Sequence, residues 1–248
     1  MHLLMLHVAM LRAAGRSVVR RRSRWIFGAR QGSVRAGGGG GAEALWRWAD
    51  AGDVGRVREL LVHGGDVGDV NAGYGPRSET PLAAAVSRGD VEVADMLLAR
   101  AEVDPRAACE PRRSTAMHEA ARFGHTVLLA KLLSAAESRG GFDVNARDAE
   151  GASLLARAAG NGRVHATKML VEHPQVDLNA ADNAGRTPLA LAAEAGHVDV
   201  VNVLIDLPEV DINRPNHDGL TPEVLAERNF HGDIATILCN AGAIVGEP

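Results

Sequence analysis

Apolar and polar positions along the chain fall into a frame that repeats. One copy opens at Thr80-Pro81-Leu82-Ala83-Ala84-Ala85, is interrupted at Arg88-Gly89-Asp90-Val91, and closes at Met96-Leu97-Leu98. The opening residue returns as Thr115, Ser153, Thr187 and Thr221, at intervals of 34 to 38 residues. A degenerate first copy runs through Leu45, Ala49, Gly52, Val57, Leu60 and Leu61. The sharpest copy reads Thr187-Pro188-Leu189-Ala190-Leu191-Ala192-Ala193, then Gly196-His197-Val198. Self-similarity at such a period marks stacked supersecondary units.

Each position of the frame has a local physical job. Thr or Ser caps a helix by accepting a bond from an orphan backbone N–H, and Pro at the first helical position lacks only a donor that would be unpaired anyway. The Ala pair leaves a slim face for close helix approach. The Gly eight or nine residues in supplies the left-handed conformation that ends the first helix. A second helix follows, with an apolar face at Val91, Val93/Ala94, Leu97 and Leu98. Asp-Val-Asn (143–145), Asp-Leu-Asn (177–179) and Asp-Ile-Asn (211–213) then supply turn chemistry. Helices this short are marginal alone, so each unit must bury its faces on its neighbours.

This frame resembles the ankyrin repeat, whose T-P-L-H-x-A signature recurs about every 33 residues. The resemblance implies an all-α ankyrin-repeat solenoid of about six helix-turn-helix units, at about 43–72, 78–106, 113–148, 151–182, 185–216 and 219–245. Four departures stand out. Only His118 keeps the signature His, whose slot elsewhere holds Trp46, Ala83, Ala156, Ala190 or Val224. Ser138–Gly141 lengthens the third unit, and a shorter surplus sits at Gly73–Pro76. Phe230 replaces the helix-ending Gly of the last unit. Trp46 and Trp48 add bulk suited to an end unit.

Composition supports a core of closely spaced helices. Hydrophobic residues make up 46% of the 248-residue chain and aromatics only 3%, while alanine occurs 42 times. Charge divides the chain in two. Residues 1–41 carry eight Arg and no acidic residue; the remainder sets 19 basic residues against all 31 acidic ones, a net of -12. The repeat body would therefore repel phosphate backbones, which argues against nucleic-acid binding by it. No apolar run is long enough to span a bilayer.

Residues 1–42 read as a basic, Arg- and Gly-rich segment, disordered or targeting, with Gly37–Gly41 as a flexible linker. Its apolar stretch precedes its charge, the reverse of a secretory signal. A disordered tail, an overlong start, an organellar transit peptide and a nuclear or RNA-contacting Arg cluster all remain open. The expected location is the cytoplasm, or a mitochondrion or plastid if residues 1–36 are a transit peptide. Cys109 and Cys239 give no disulfide framework and fit a reducing compartment.

The sequence offers little chemistry. His118-Glu119-Ala120-Ala121-Arg122 begins like a zinc-binding HExxH but lacks the second His, so His118 reads as a repeat His bonding between neighbouring loops. Gly151-Ala152-Ser153-Leu154-Leu155 lacks the closing Gly of a nucleophile elbow. The glycine run is not followed by the Lys-Ser/Thr of a phosphate loop. The expectation is a non-enzymatic chain with no catalytic residue, cofactor, metal or small-molecule substrate. Its alternatives are a nucleic-acid or membrane-surface binder acting through the basic arm, and a regulatory fragment of a larger enzyme.

What remains is a surface. The resemblance implies a concave groove formed by the first helices and the turn tips, which binds another protein. The first-helix positions not reserved for packing include Ala84, Ser87, Arg88, Glu119, Arg122, Phe123, Arg157, Asn161 and Leu225. The tips add Arg77, Arg112, Arg113, Asp148, Arg186 and His217. Arg and aromatic side chains most often carry interface energy. The candidate protein-binding residues are thus Ser87, Arg88, Glu119, Arg122, Phe123, Arg157, Asn161, Arg112 and Arg113. Arg88, Arg122 and Arg157 are expected to form a continuous ladder for an acidic segment carrying an apolar anchor.

Overall fold

The computed structural model describes residues 40–63, 67–108 and 110–243. Among them are twelve helices in six pairs: α1 (Gly40–Ala51) with α2 (Val54–His63), α3 (Pro81–Arg88) with α4 (Val91–Leu98), and α5 (Ala116–Phe123) with α6 (Thr126–Ser138). They continue as α7 (Leu154–Gly160) with α8 (Val164–Val171), α9 (Pro188–Glu194) with α10 (Val198–Ile205), and α11 (Pro222–Arg228) with α12 (Gly232–Asn240). Each first helix packs on the first helix of the next unit, and each second helix on the next second helix. No named strand occurs among the described residues; Tyr74 and Glu79 form one isolated antiparallel bridge.

Capping follows the sequence. The side chains of Thr80, Thr115, Ser153, Thr187 and Thr221 each accept from the backbone N–H three residues on, at 3.0–3.4 Å. Pro81, Pro188 and Pro222 occupy the first helical turn. The slim faces pack as expected: Ala84, Ala85, Ala120, Ala121, Ala158, Ala159, Ala192 and Ala193 are fully buried.

The helix-ending glycines do more than adopt a left-handed backbone. The His125 ring lies against Gly89 and the His197 ring against Gly162, so a Cβ at either glycine would stand 2.7 Å from a ring atom. Arg163 lies against Gly124 in the same way. The Asp-x-Asn turns likewise do more than reverse the chain. Each Asp carboxylate accepts from the Asn backbone N–H two residues on, and the Asn side chain reaches the next unit. Asn145 donates to the Gln175 carbonyl at 2.7 Å and accepts from Asp177 N at 2.8 Å; Asn179 repeats both bonds with Glu209 and Asp211. In the second unit Arg106 stands where the others have Asn. Its guanidinium donates to the Gly140 carbonyl at 2.7 Å while pairing with Asp104.

Several expectations need correction. Gly40 and Gly41, read as linker, are the first residues of α1, and Gly41 is buried against the Val67 backbone. Val91, assigned to the apolar face of α4, is exposed, and burial falls on Val93, Ala94 and Leu97. The surplus of the third unit is absorbed partly as helix, since α6 has 13 residues where the other second helices have eight to ten. Arg139 just beyond it donates to the Leu98, Arg100 and Val103 carbonyls, satisfying acceptors at the C-terminal end of α4. Trp46 covers Gly75 of the following turn, so the surplus at Gly73–Pro76 lodges against the first unit. The readings of residues 1–39 and of Cys109 lie outside the described residues; Cys239 is exposed on α12.

Phe230 does stand where the other units place Gly, with φ of 64° and 95% of its surface exposed. A bulky side chain there strains the backbone and gains little burial in return. Phe230→Gly is expected to raise stability by about 1 kcal/mol. An unchanged or lowered urea midpoint would show that Phe230 has an intramolecular partner.

Candidate functional site

The first helices and the turn tips between units carry the nine candidate residues. The tips are built alike. Asp148, Asp182 and Asn216 each turn one side-chain oxygen onto two backbone N–H groups of their own turn, at 2.9–3.0 Å. Neighbouring tips then bond to one another: Ala149 N to Arg112 O at 2.8 Å, Asn183 N to Glu150 O at 3.0 Å, and His217 N to Ala184 O at 3.0 Å. The tips thereby form a rigid row beside the first helices.

Asp148 and Asp182 spend their second oxygen on a guanidinium. Arg157 of α7 holds Asp148 Oδ2 from Nη2 at 2.5 Å and from Nε at 2.6 Å, and reaches Glu150 at 2.8 Å. One unit later Arg186, from the turn itself, pairs with Asp182 at 2.8 Å and Glu194 at 3.0 Å. Burial disfavours the charge on Arg157, but hydrogen bonding and attraction from Asp148, then Glu150, outweigh it and raise its pKa. The continuous ladder of Arg88, Arg122 and Arg157 is therefore interrupted. Arg157 is a neutralised strut, and Asp148, read as an open tip residue, is buried.

Arg122 lies 5.2 Å from the Phe123 ring centroid, and Phe123 stacks on His125 at 6.0 Å. Both are partly exposed. Arg88 is exposed, with its guanidinium against Gly52 of the unit before. Among the described residues neither Arg88 nor Arg112 has a side-chain ion pair or hydrogen bond. Arg113, in a left-handed conformation, lies 4.0 Å from Glu110. Ser87 is half-buried and its hydroxyl oxygen has no hydrogen-bond partner. Asn161 donates its amide back to the Arg157 carbonyl at 2.8 Å.

Glu119 differs most from its expected place. Read as a free groove position, it is buried, as are Ala84 and Leu225 at the matching positions of α3 and α11, where first helices pack on those of adjoining units. Its Oε1 accepts from the Ser114 hydroxyl at 2.8 Å, and its Oε2 lies 3.5 Å from Arg122 Nη1. Arg112, Glu119, Arg122, Arg157 and Asn161 line one polar cleft of about 370 Å³, closed by Ser114, Asp148 and Glu150. Ser87, Arg88, Phe123 and Arg113 lie outside it. The Asp/Asn-x-x-Gly spelling shared at 148–151, 182–185 and 216–219 is the sequence signal that marks the tip carboxylates.

His118 sits at the base of this cleft and does what a repeat histidine is expected to do. Nε2 bonds to the Ala146 carbonyl at 3.1 Å and Nδ1 to Thr115. Burial is the chief cause of its lowered pKa, so the ring stays neutral and serves as a bridge between loops. Among the described residues no group of three or more His, Cys, Asp and Glu could hold a metal ion, and no helix is long and apolar enough to cross a membrane.

Comparison with known proteins agrees with this geometry. The family model for ankyrin repeats matches in three copies, over residues 45–148, 129–216 and 183–247. No curated protein matches the chain. With paired helices in six successive units, Thr or Ser caps on five of the first helices, bonded turn tips between the later units, and that model spanning nearly all of them, the chain belongs to the ankyrin repeat family.

Proposed function

We propose that this chain is a non-enzymatic adaptor that holds an acidic segment with an apolar anchor on the face formed by its first helices. Ankyrin repeats in general mediate protein–protein interaction, and the family is typically non-catalytic. One observation carries the finer reading: among the described residues Arg88 and Arg112 are exposed with no side-chain partner, while Arg122 rests on a partly exposed Phe123. Carboxylates of a partner would meet these guanidinium groups, and an apolar side chain would cover the Phe123 ring. The net negative charge of the rest of the repeat body would steer such a segment away from the other faces.

The test needs a partner recovered by proximity labelling and then purified. Phe123→Ala should weaken its binding at least about fivefold, near 1 kcal/mol. Arg122→Glu should mainly slow association and flatten its salt dependence. Lys168→Glu, exposed on the second helix α8, should change neither. Binding that responds to Lys168→Glu and ignores both groove substitutions would place the interface elsewhere. The second reading, an arm that binds nucleic acid or membranes, rests on the arginines of residues 12–35; salt-dependent RNA binding lost on deleting residues 1–41 would favour it.

A further inference from the structure

Phe230 is the most exposed large apolar side chain among the described residues, and its φ of 64° suits glycine. In earlier units the matching glycine is covered by a side chain from the next unit. His125 lies against Gly89, Arg163 against Gly124, His197 against Gly162 and His231 against Gly196. The last unit has no described unit after it, and an aromatic ring projects from this corner instead. That ring contributes apolar burial only when another molecule covers it.

The surroundings of Phe230 are acidic. Residues 185–243 set three basic residues against nine acidic ones, a net of -6. Glu227, whose carbonyl accepts from Phe230 N, and Asp233 are exposed, as is Asp199, the counterpart of Asp233 one unit earlier. Arg186 is committed to Asp182 and Glu194, which leaves Arg228 as the exposed cation of this corner.

The third unit carries the complement at its own corner. Arg122 lies 5.2 Å from the Phe123 ring centroid, and His125 stacks on that ring at 6.0 Å. Arg163 reaches back from the fourth unit, exposed, and donates from Nε to the Arg122 carbonyl at 2.9 Å. His125 in turn covers Gly89, the neighbour of Arg88. Three guanidinium groups thus surround an aromatic pair. The carboxylates beside them are engaged: Glu119 is 7% exposed beneath Arg122, and Asp90 caps α4 through Val93 N.

We propose that a second copy of this chain is a partner of this surface. Phe230 of one copy covers Phe123 of the other, with Glu227 and Asp233 facing Arg122 and Arg163. The proposal rests on the groove reading for its receiving surface, and it supplies the acidic segment and apolar anchor from the chain's own last unit. Both surfaces lie at helix-turn corners three units apart along one edge of the stack. Two antiparallel copies therefore make the contact twice and close as a dimer. The opposite charges of the two corners favour this pairing over corner on like corner.

Sedimentation equilibrium of the full chain should show monomer and dimer, with dimerisation weakened at least about tenfold by Phe230→Gly and by Arg163→Glu. The urea midpoint should rise with protein concentration for the unaltered chain and stay constant for Phe230→Gly. That variant relieves backbone strain, so its loss of pairing is not a loss of fold. A mixture of Phe230→Gly and Arg163→Glu holds one intact ring and one intact receiving corner. It should form mixed dimers more strongly than either variant pairs with itself. A monomer at every concentration would overturn the proposal, as would a dimer that Phe230→Gly leaves intact or a mixture without gain. The groove reading is decided separately, by Phe123→Ala against a partner recovered by proximity labelling.

Discussion

Asp148→Ala is expected to destabilise the protein by about 3 kcal/mol, the lower end of the cost of breaking a buried ion pair. The carboxylate is 2% exposed and does three things at once. It accepts from Glu150 N and Ala152 N, both at 3.0 Å, and it holds Arg157. Alanine would leave two turn N–H groups without a partner and a largely buried guanidinium with only Glu150, itself 74% exposed. The tip row would also loosen, because Ala149 and Glu150 join it to the tips on either side. In a chain of this size the loss corresponds to a fall in Tm of about 6–12 °C. Asp148→Asn is the informative companion. Asn216 shows that an amide oxygen can serve the two turn N–H groups alone, at 2.9 Å each. The Asn variant should therefore lose about 1–2 kcal/mol, the charge pairing without the turn. Thermal unfolding in which the two variants match would refute the division of labour between the two oxygens.

Leu132→Ala should cost about 2–5 kcal/mol, through lost transfer energy and the cavity left behind. Leu132 is fully buried on α6, whose neighbours are α5 within its own unit and the second helices α4 and α8 of the units on each side. Stability in a repeat stack is close to a sum of unit and interface terms, so a defect in the middle weakens two interfaces. Leu238→Ala on α12, also fully buried but in the last described unit, faces only one neighbouring unit. It should release that unit first and shift the main urea transition less. Equal shifts for Leu132→Ala and Leu238→Ala would mean that the stack unfolds as one block whatever the position of the defect.

Much of the fold was legible in the sequence, and particular residues show why. Thr80, Thr115, Ser153, Thr187 and Thr221 cap helices because the bond closes over three residues and needs nothing distant. The alanine pairs are buried because their spacing sets them on one helix face, whatever lies opposite. The site was less legible. Glu119 occupies a position that looked free from spacing, yet Ser114 before its helix and Arg122 one turn on draw it inward. Gly40 and Gly41 looked like linker because glycine runs usually are, but the Val67 backbone packs where a Cβ at Gly41 would stand. Composition alone could not anticipate that contact.

The helix pair, its caps, its period and the number of units follow from the order of residues, because they rest on interactions within a few residues and repeat with the chain. Which arginines remain available follows instead from how the units stack. Arg157 stands four residues after its cap and Arg88 eight after its own; a carboxylate folded back from the preceding turn neutralises the first, and the second lies exposed against Gly52. The sign of a surface charge can be read from a sequence. Whether that charge is free depends on which groups the stack brings within about 3–4 Å of it, where attraction rises steeply as distance and water are removed.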